Sequence, residues 1–281
     1  MDSQLSPVGR FERILLASDG TGCSVDAERI ALTIASEWGA TLHVASVVIT
    51  NPIAEEVAYN QVETAGVAVH DLLERLHAEA QGLGITVEKV LLRGRDPQEM
   101  IVSAADEHRA DLIVMGRREK PGLLRRIVGT TTTRTVGSAR CSVLVVPEGA
   151  SMWRRRILLA TDGSRFSDAA AVAAGKLAEL CKLPVSVIST IRASFSPERA
   201  AQAGEAATRV HDLLAAKHIE VDKAVLNGEP DQLILSTAAA LGADLIVLGT
   251  HGRTGWERLV VGSVTESVVK ASTLPVLAVK L

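Results

Sequence analysis

The residues best suited to hold a ligand lie between positions 249 and 266, GTHGRTGWERLVVGSVTE. Two residues separate Gly249 from Gly252, and nine separate Gly252 from Gly262, which is followed directly by Ser263. Glycines let backbone N–H groups approach a phosphate with no Cβ in the way. Ser263 opens a helical pattern, and a helix start offers unpaired N–H groups and a favourable dipole to an anion. The chemistry expected here is phosphate cradling, with an acidic side chain such as Asp162 accepting hydrogen bonds from ribose hydroxyls. Two plainer readings stay open. Ser263 and Glu266 have capping-box spacing, and Asp162 with Gly163 is an ordinary turn or helix-entry pair.

The elements that would position this loop appear when the chain is compared with itself. Residues 13–20, RILLASDG, return as 156–163, RILLATDG, with Ser18 against Thr161 as the single difference. Residues 110–116, ADLIVMG, recur as 243–249, ADLIVLG, and 142–147, SVLVVP, as 275–280, PVLAVK. A repeat in conserved order over 281 residues implies two domains, placed at 12–148 and 154–281 with a short polar linker between them. In each half, short apolar runs alternate with helix-period segments, as βαβ units and a parallel sheet require. Strands are predicted near 13–18, 41–48, 86–92, 111–116 and 142–147, and again near 156–161, 184–190, 220–226, 244–249 and 275–280. With 47% hydrophobic but only 2% aromatic residues, the core must be built from Val, Leu, Ile and Ala. Asp19 and Asp162 follow the first strand of each half, and Gly116 and Gly249 end the fourth. If those strands are neighbours where the strand order reverses, the aspartate and the glycine loop share one crevice.

These residues resemble the universal stress protein family in its tandem, nucleotide-binding form. That form carries Gly, two residues, Gly, nine residues, then Gly followed by Ser or Thr, and Gly249, Gly252, Gly262 and Ser263 match it. The resemblance covers residues ~12 to 281. It implies an α/β fold of two tandem doubly wound domains, each a five-stranded parallel sheet ordered 3-2-1-4-5. It further implies ATP, with Mg²⁺, as the ligand. Asp162 would contact ribose, Ala160 and Val187 would line the adenine pocket, and Gly249, Gly252, Gly262, Ser263 and Thr265 would hold phosphates. In the first half Ala17, Asp19, Val44, Gly116, Gly129, Thr130 and Thr132 match the same pattern, but Glu119 stands where the second glycine belongs. A carboxylate beside phosphates is repulsive, so unequal occupancy of the halves is expected. Arg117, Arg118, Lys120, Arg125 and Arg126 surround that loop, either compensating for Glu119 or simply solvated. Family members pair through the last strand of the domain. The resemblance therefore implies an intrachain pseudo-dimer and allows a homodimer.

Other chemistries find little support. The net charge of −3 exerts no general pull on nucleic acid or an anionic membrane. No apolar run approaches ~20 residues, and Cys23, Cys141 and Cys181 make neither a CxxC pair nor a disulfide framework, so a cytoplasmic protein is expected. Neither half carries the Gly-Lys-Ser/Thr ending of a P-loop, and no catalytic set is assignable. His251 sits within the glycine loop as a phosphate contact or, preferentially, a solvent-facing residue. His43 and His211 lack metal-ligand spacing, so no metal site is expected. The reading is an ATP-binding stress-response regulator whose occupancy alters stability or partner interactions. The alternatives are a slow ATPase or nucleotide hydrolase, and a nucleotide-free scaffold.

Overall fold

The computed structural model describes residues 11–50, 59–117, 130–252 and 261–281. The chain divides into two compact units, Phe11–Gly149 and Ala150–Leu281. The first runs β1 (Arg13–Ala17), α1 (Gly22–Trp38), β2 (Thr41–Ile49), α2 (Tyr59–Gly82), β3 (Val87–Gly94), α3 (Pro97–Glu107), β4 (Leu112–Gly116), α4 (Thr130–Ser138) and β5 (Ser142–Val146). The second repeats it with β6 (Ile157–Ala160), α5 (Arg165–Cys181), β7 (Val185–Ile191), α6 (Pro197–Ala215), β8 (Val221–Asn227), α7 (Pro230–Ala240), β9 (Leu245–Gly249), α8 (Ser263–Ala271) and β10 (Val276–Val279).

Within the first unit the strand order is β3-β2-β1-β4-β5, and within the second it is β8-β7-β6-β9-β10. The strand pairs inside each unit are parallel. This is the doubly wound 3-2-1-4-5 arrangement, and each predicted strand is present to within a residue or two. The first and fourth strands are neighbours in both units: Ile14 pairs with Leu112 and Ala17 with Met115, while Ile157 pairs with Leu245 and Leu159 with Val247. The strand order therefore reverses at β1/β4 and at β6/β9, which puts the residues after these strands at a shared crevice.

The sequence explains the layers. Central strands are covered on both faces, so they read as continuous apolar runs. Ile14, Leu15, Leu16, Ile157, Leu158 and Leu159 are all fully buried. The helix after the first strand of the second unit buries mostly small residues, Ala170, Ala171, Ala173, Ala174 and Ala178, so its axis can lie close to the sheet. The outer strands β3 and β8 alternate between half-buried and exposed positions.

Two features of the repeated ADLIV segment fix the register. Its aspartate receives backbone N–H groups from the chain entering the first strand. Asp111 Oδ2 accepts from Glu12 N (2.9 Å) and Arg13 N (3.1 Å). Asp244 accepts from Arg154 N (2.7 Å), Arg155 N (2.9 Å) and Arg156 N (3.0 Å). Such charge-assisted bonds are the stronger kind. The glycine that ends the segment is required by packing. A Cβ at Gly249 would stand 2.7 to 2.9 Å from the Phe166 carbonyl carbon, Cβ and carbonyl oxygen, and one at Gly116 would stand 2.2 Å from the Cys23 carbonyl oxygen. The first turn of the helix after the first strand therefore presses directly on the end of the fourth strand.

Gly249→Ala is expected to destabilise the second unit by about 1–3 kcal/mol, since the contact is with backbone that cannot step aside. Gly204 lies in α6 with open space where a Cβ would go, and Gly204→Ala is expected to stabilise by about 0.5–1 kcal/mol. Equilibrium urea unfolding of the two variants checks the contrast, and equal stability would refute the close approach.

Candidate functional site

At the β6/β9 crossing, β6 delivers Ala160 and then Thr161, Asp162 and Gly163 into a turn. Ser164 caps α5, its hydroxyl accepting from Ser167 N (3.2 Å). Asp162 Oδ1 accepts from Ser164 N at 3.0 Å. Its Oδ2 faces Gly252, where an added Cβ would stand 2.8 Å away. The carboxylate thus lies against the second glycine of the loop, too close for a side chain to stand between them.

The two ends of the loop after β9 are tied. Gly262 N donates to Thr250 O (2.9 Å), Thr250 N to Val279 O (3.0 Å), and the Thr265 hydroxyl to Gly249 O (2.8 Å). Gly262 is the N-cap of α8 and supplies no side-chain cap. Ser263 is therefore the first helical residue, with its hydroxyl exposed to the cleft. The capping-box reading fails in this geometry, and the Glu266 carboxylate pairs with Lys270 one turn on. The first turn of α8 keeps its N–H groups directed outward from the helix end, where an anion is favoured.

Around these groups lies a cleft of about 220 Å³. Ala160, Ile188, Ala203, Pro230, Ile234 and Leu248 supply its apolar wall, while Asp162, Gly252, Gly262, Ser263 and Thr265 line the opposite side. Among the described residues of the lining, Asp162 is the one acid. On the β7 side, Arg199 places its guanidinium 4.0 Å over the Phe195 ring, and Arg192 Nε lies 3.5 Å from Glu229 Oε2. Arg192, Phe195 and Arg199 all line the cleft, and sequence reading missed them because the segment after β7 carries no motif.

Three expectations need correction. Val187 is fully buried and does not line the cleft; its neighbour Ile188 does, beside Ala160 with which it pairs in register. Successive residues of a strand point to opposite faces, so the Val187 side chain turns into the core while that of Ile188 turns to the cleft. Thr265 lines the cleft, but its hydroxyl is engaged by the Gly249 carbonyl, so it contributes chiefly backbone there. His251, expected to face solvent, is buried, with Nδ1 3.1 Å from Thr250 Oγ1 and its ring 5.0 Å from that of Phe166. It lines the cleft from this buried position.

The corresponding turn of the first unit is built differently. Asp19 Oδ1 accepts from Thr21 N (3.0 Å), Thr21 Oγ1 (2.6 Å) and Ser24 Oγ (2.8 Å). The hydroxyls entering α1 thus already use this oxygen. Leu72 of α2 packs against the turn, its Cδ2 3.4 Å from the Cβ position of Gly20, where the second unit presents the smaller Ala206 to Gly163. Nearby, the buried Glu28 accepts from Ser18 Oγ (2.5 Å) and pairs with Arg75 (2.7 Å). Ala17 pairs with Ala45 rather than with Val44, and Val44 is fully buried. Arg117 takes the place of Thr250, its backbone N–H donating to Val146 O (2.9 Å), and its side chain is buried. Thr132 is buried in α4. Residues 118–129, with Glu119 and Gly129, and the Thr130 side chain lie outside the described residues.

Among the described residues no helix is long and apolar enough to cross a membrane. The sequence profile of the universal stress protein family matches residues 10–147 and again 154–280. A universal stress protein of Methanocaldococcus jannaschii is 31% identical over 140 residues, which is 48% of this chain and 82% of that protein. One of Mycolicibacterium smegmatis is 27% identical over 239 residues, covering 80% of this chain and 78% of the relative. Among solved structures, a universal stress protein from Archaeoglobus fulgidus superposes with a TM-score of 0.77 over 95% of this chain and 98% of its own, at 20% identity, a likeness of fold. The chain belongs to the universal stress protein family and carries two copies of the family's domain in tandem.

Proposed function

We propose that the second unit binds an adenine nucleotide, ATP, and that occupancy of this cleft regulates the protein by changing its stability and the surface it offers to partners. The observation that carries the reading is a cleft in which the Asp162 carboxylate lies against Gly252 beside a start of α8 that has no side-chain cap. Ala160 and Ile188 would seat the base. Asp162 would accept from ribose hydroxyls. Gly252, Gly262 and the first turn of α8 would hold phosphates through backbone N–H groups, with the Ser263 hydroxyl beside them. Gly249 serves this site indirectly, by letting α5 lie against β9 so that Asp162 reaches the loop. A cleft of about 220 Å³ is smaller than the ~300–1,000 Å³ typical of drug-sized pockets, and so suits a base and ribose, with the phosphates running along the loop.

Mg²⁺ fits this lining as a phosphate-borne ion. Such ions take one or two carboxylates and complete their shell with phosphate and water, and Asp162 offers one carboxylate among the described lining residues. Binding is the whole of the assigned chemistry; no residue in the lining is assigned to hydrolysis. The first unit is proposed to bind more weakly, because Asp19 is engaged by Thr21 and Ser24 and because Glu119 replaces the loop glycine. The action is placed in the cytoplasm, in keeping with three cysteines that form no disulfide.

Isothermal titration of the full chain with Mg-ATP is expected to give one strong site. Gly252→Ala should weaken it by about tenfold or more, because the new methyl displaces the Asp162 carboxylate, while melting without nucleotide stays close to wild type since that carboxylate can rotate away. Asp162→Asn should cost about 10- to 100-fold, the range for hydrogen bonds to a charged group. Unchanged affinity in both variants would refute the assignment, and phosphate release over hours that is lost in Asp162→Asn would replace a regulator by a slow hydrolase.

A further inference from the structure

His43, Glu88 and His108 are scattered along the chain, yet the first unit brings them together. His43 is the third residue of β2 and Glu88 the second of β3, and the two pair side by side in the sheet. His108 is the C-cap of α3, its backbone N–H donating to Ala104 O (3.0 Å). Parallel-sheet neighbours direct their side chains to the same face, and α3 packs across both strands, so its C-terminal end carries the second imidazole to that face. The cluster lies by the amino ends of β2 and β3, whereas the crevice at the strand crossing lies at the carboxyl ends.

We infer that His43, Glu88 and His108 form a binding site for a divalent transition-metal ion of the zinc class. His43 Nδ1 lies 3.1 Å from Glu88 Oε2, and His108 Nδ1 lies 3.8 Å from the same oxygen. One ligand atom from each residue falls within 4.8 Å of the others. A tetrahedral shell with bonds of ~2.0–2.1 Å separates its ligands by about 3.3 Å, so these atoms already stand near coordinating distance. The side chain of His43 is 7% exposed, and its Nδ1 is buried without a hydrogen-bond partner although Glu88 is so close. The imidazole and carboxylate are close but not aligned to share a proton, as befits two ligands that share a third atom.

The rest of the environment agrees. Glu88 is 58% exposed and His108 24%, so both can adjust by small rotations and solvent can fill the open positions. Two imidazoles and one carboxylate suit zinc, cobalt, nickel or iron, whereas magnesium and calcium prefer all-oxygen shells. Burial, and then the neighbouring His108, holds the His43 imidazole below its ordinary range, with Arg13 acting in the same sense and Glu88 opposing. Arg13 is the cation that faces the cluster, its Nε donating to the Arg109 carbonyl (2.7 Å). The His43 and His108 rings lie 4.5 Å apart and tilted by 38°, an approach compatible with a shared ion between their nitrogens.

The test uses the tag-free full chain, stripped with EDTA and titrated calorimetrically with zinc chloride. One zinc per chain is expected. Glu88→Gln and His108→Gln should each weaken it at least about tenfold, and the double variant should abolish it, with circular dichroism and melting in EDTA matching wild type. Affinity should fall at acid pH, because protons compete with the ion for its imidazole ligands. X-ray absorption of the bound zinc should show nitrogen and oxygen neighbours. Gly252→Ala should leave zinc binding intact, which separates this site from the nucleotide cleft. The inference is overturned if wild type shows no saturable zinc binding, if both single variants bind as wild type does, or if the absorption spectrum shows a sulfur ligand.

Discussion

The structure turns on a steric contact at the place where the sheet reverses direction. The helix leaving the first strand of each unit rests its opening turn against the end of the fourth strand, so closely that Gly116 and Gly249 leave no room for a Cβ. Everything at the candidate site follows from that contact. It sets how far Asp162 projects beyond β6 and brings the carboxylate to Gly252. It also fixes the start of the loop whose other end is tied back by Gly262 N on Thr250 O. At the opposite end of the same strands, Asp111 and Asp244 hold the chain entering the first strand. Each ADLIV repeat therefore secures its crossing at both ends, which gives a physical reason why both its aspartate and its glycine recur.

The fold was legible because its determinants are local and periodic. Buried parallel strands must be apolar throughout, the helices between them must be amphipathic, and two copies of one pattern reinforced each other. The neighbourhood of the first and fourth strands was only assumed from sequence, and β1/β4 and β6/β9 supply it. Legibility ended where orientation mattered. Whether Val187 or Ile188 faces the cleft depends on strand parity, and an apolar run buried on both faces hides it. His251 looked like a loop residue, yet Phe166 and Thr250 enclose it. Ser263 and Glu266 had capping spacing, but the helix begins one residue earlier than that motif requires. The His43, Glu88 and His108 cluster had no sequence signal at all, because strand pairing and a helix end bring it together from separate segments.

Duplication has left two crossings of the same design with different surroundings. In the second unit small residues, Ala203 and Ala206, border the cleft and the turn, and Asp162 has an oxygen turned to the loop. In the first, Leu72 packs on the turn, the buried Glu28 pairs with the exposed Arg75 beside it, and Thr21 and Ser24 engage Asp19. A buried carboxylate is costly unless its hydrogen bonds are met, and Arg75 and the Ser18 hydroxyl meet those of Glu28. These features describe a first-unit turn packed and hydrogen-bonded differently from its counterpart in the second unit. The zinc-class cluster lies in this same first unit, so the two halves divide their proposed ligands between them.

The claim that the second unit holds the tighter nucleotide site, with the base beside Ile188, is tested most directly by photolabelling the full chain with limiting 8-azido-ATP and mapping the modified peptide. Labelling that unlabelled ATP suppresses, confined to residues from β7 to the first turns of α6, is the predicted result. Labelling centred on residues 17–45 of the first unit, or labelling that excess ATP does not suppress, would contradict it.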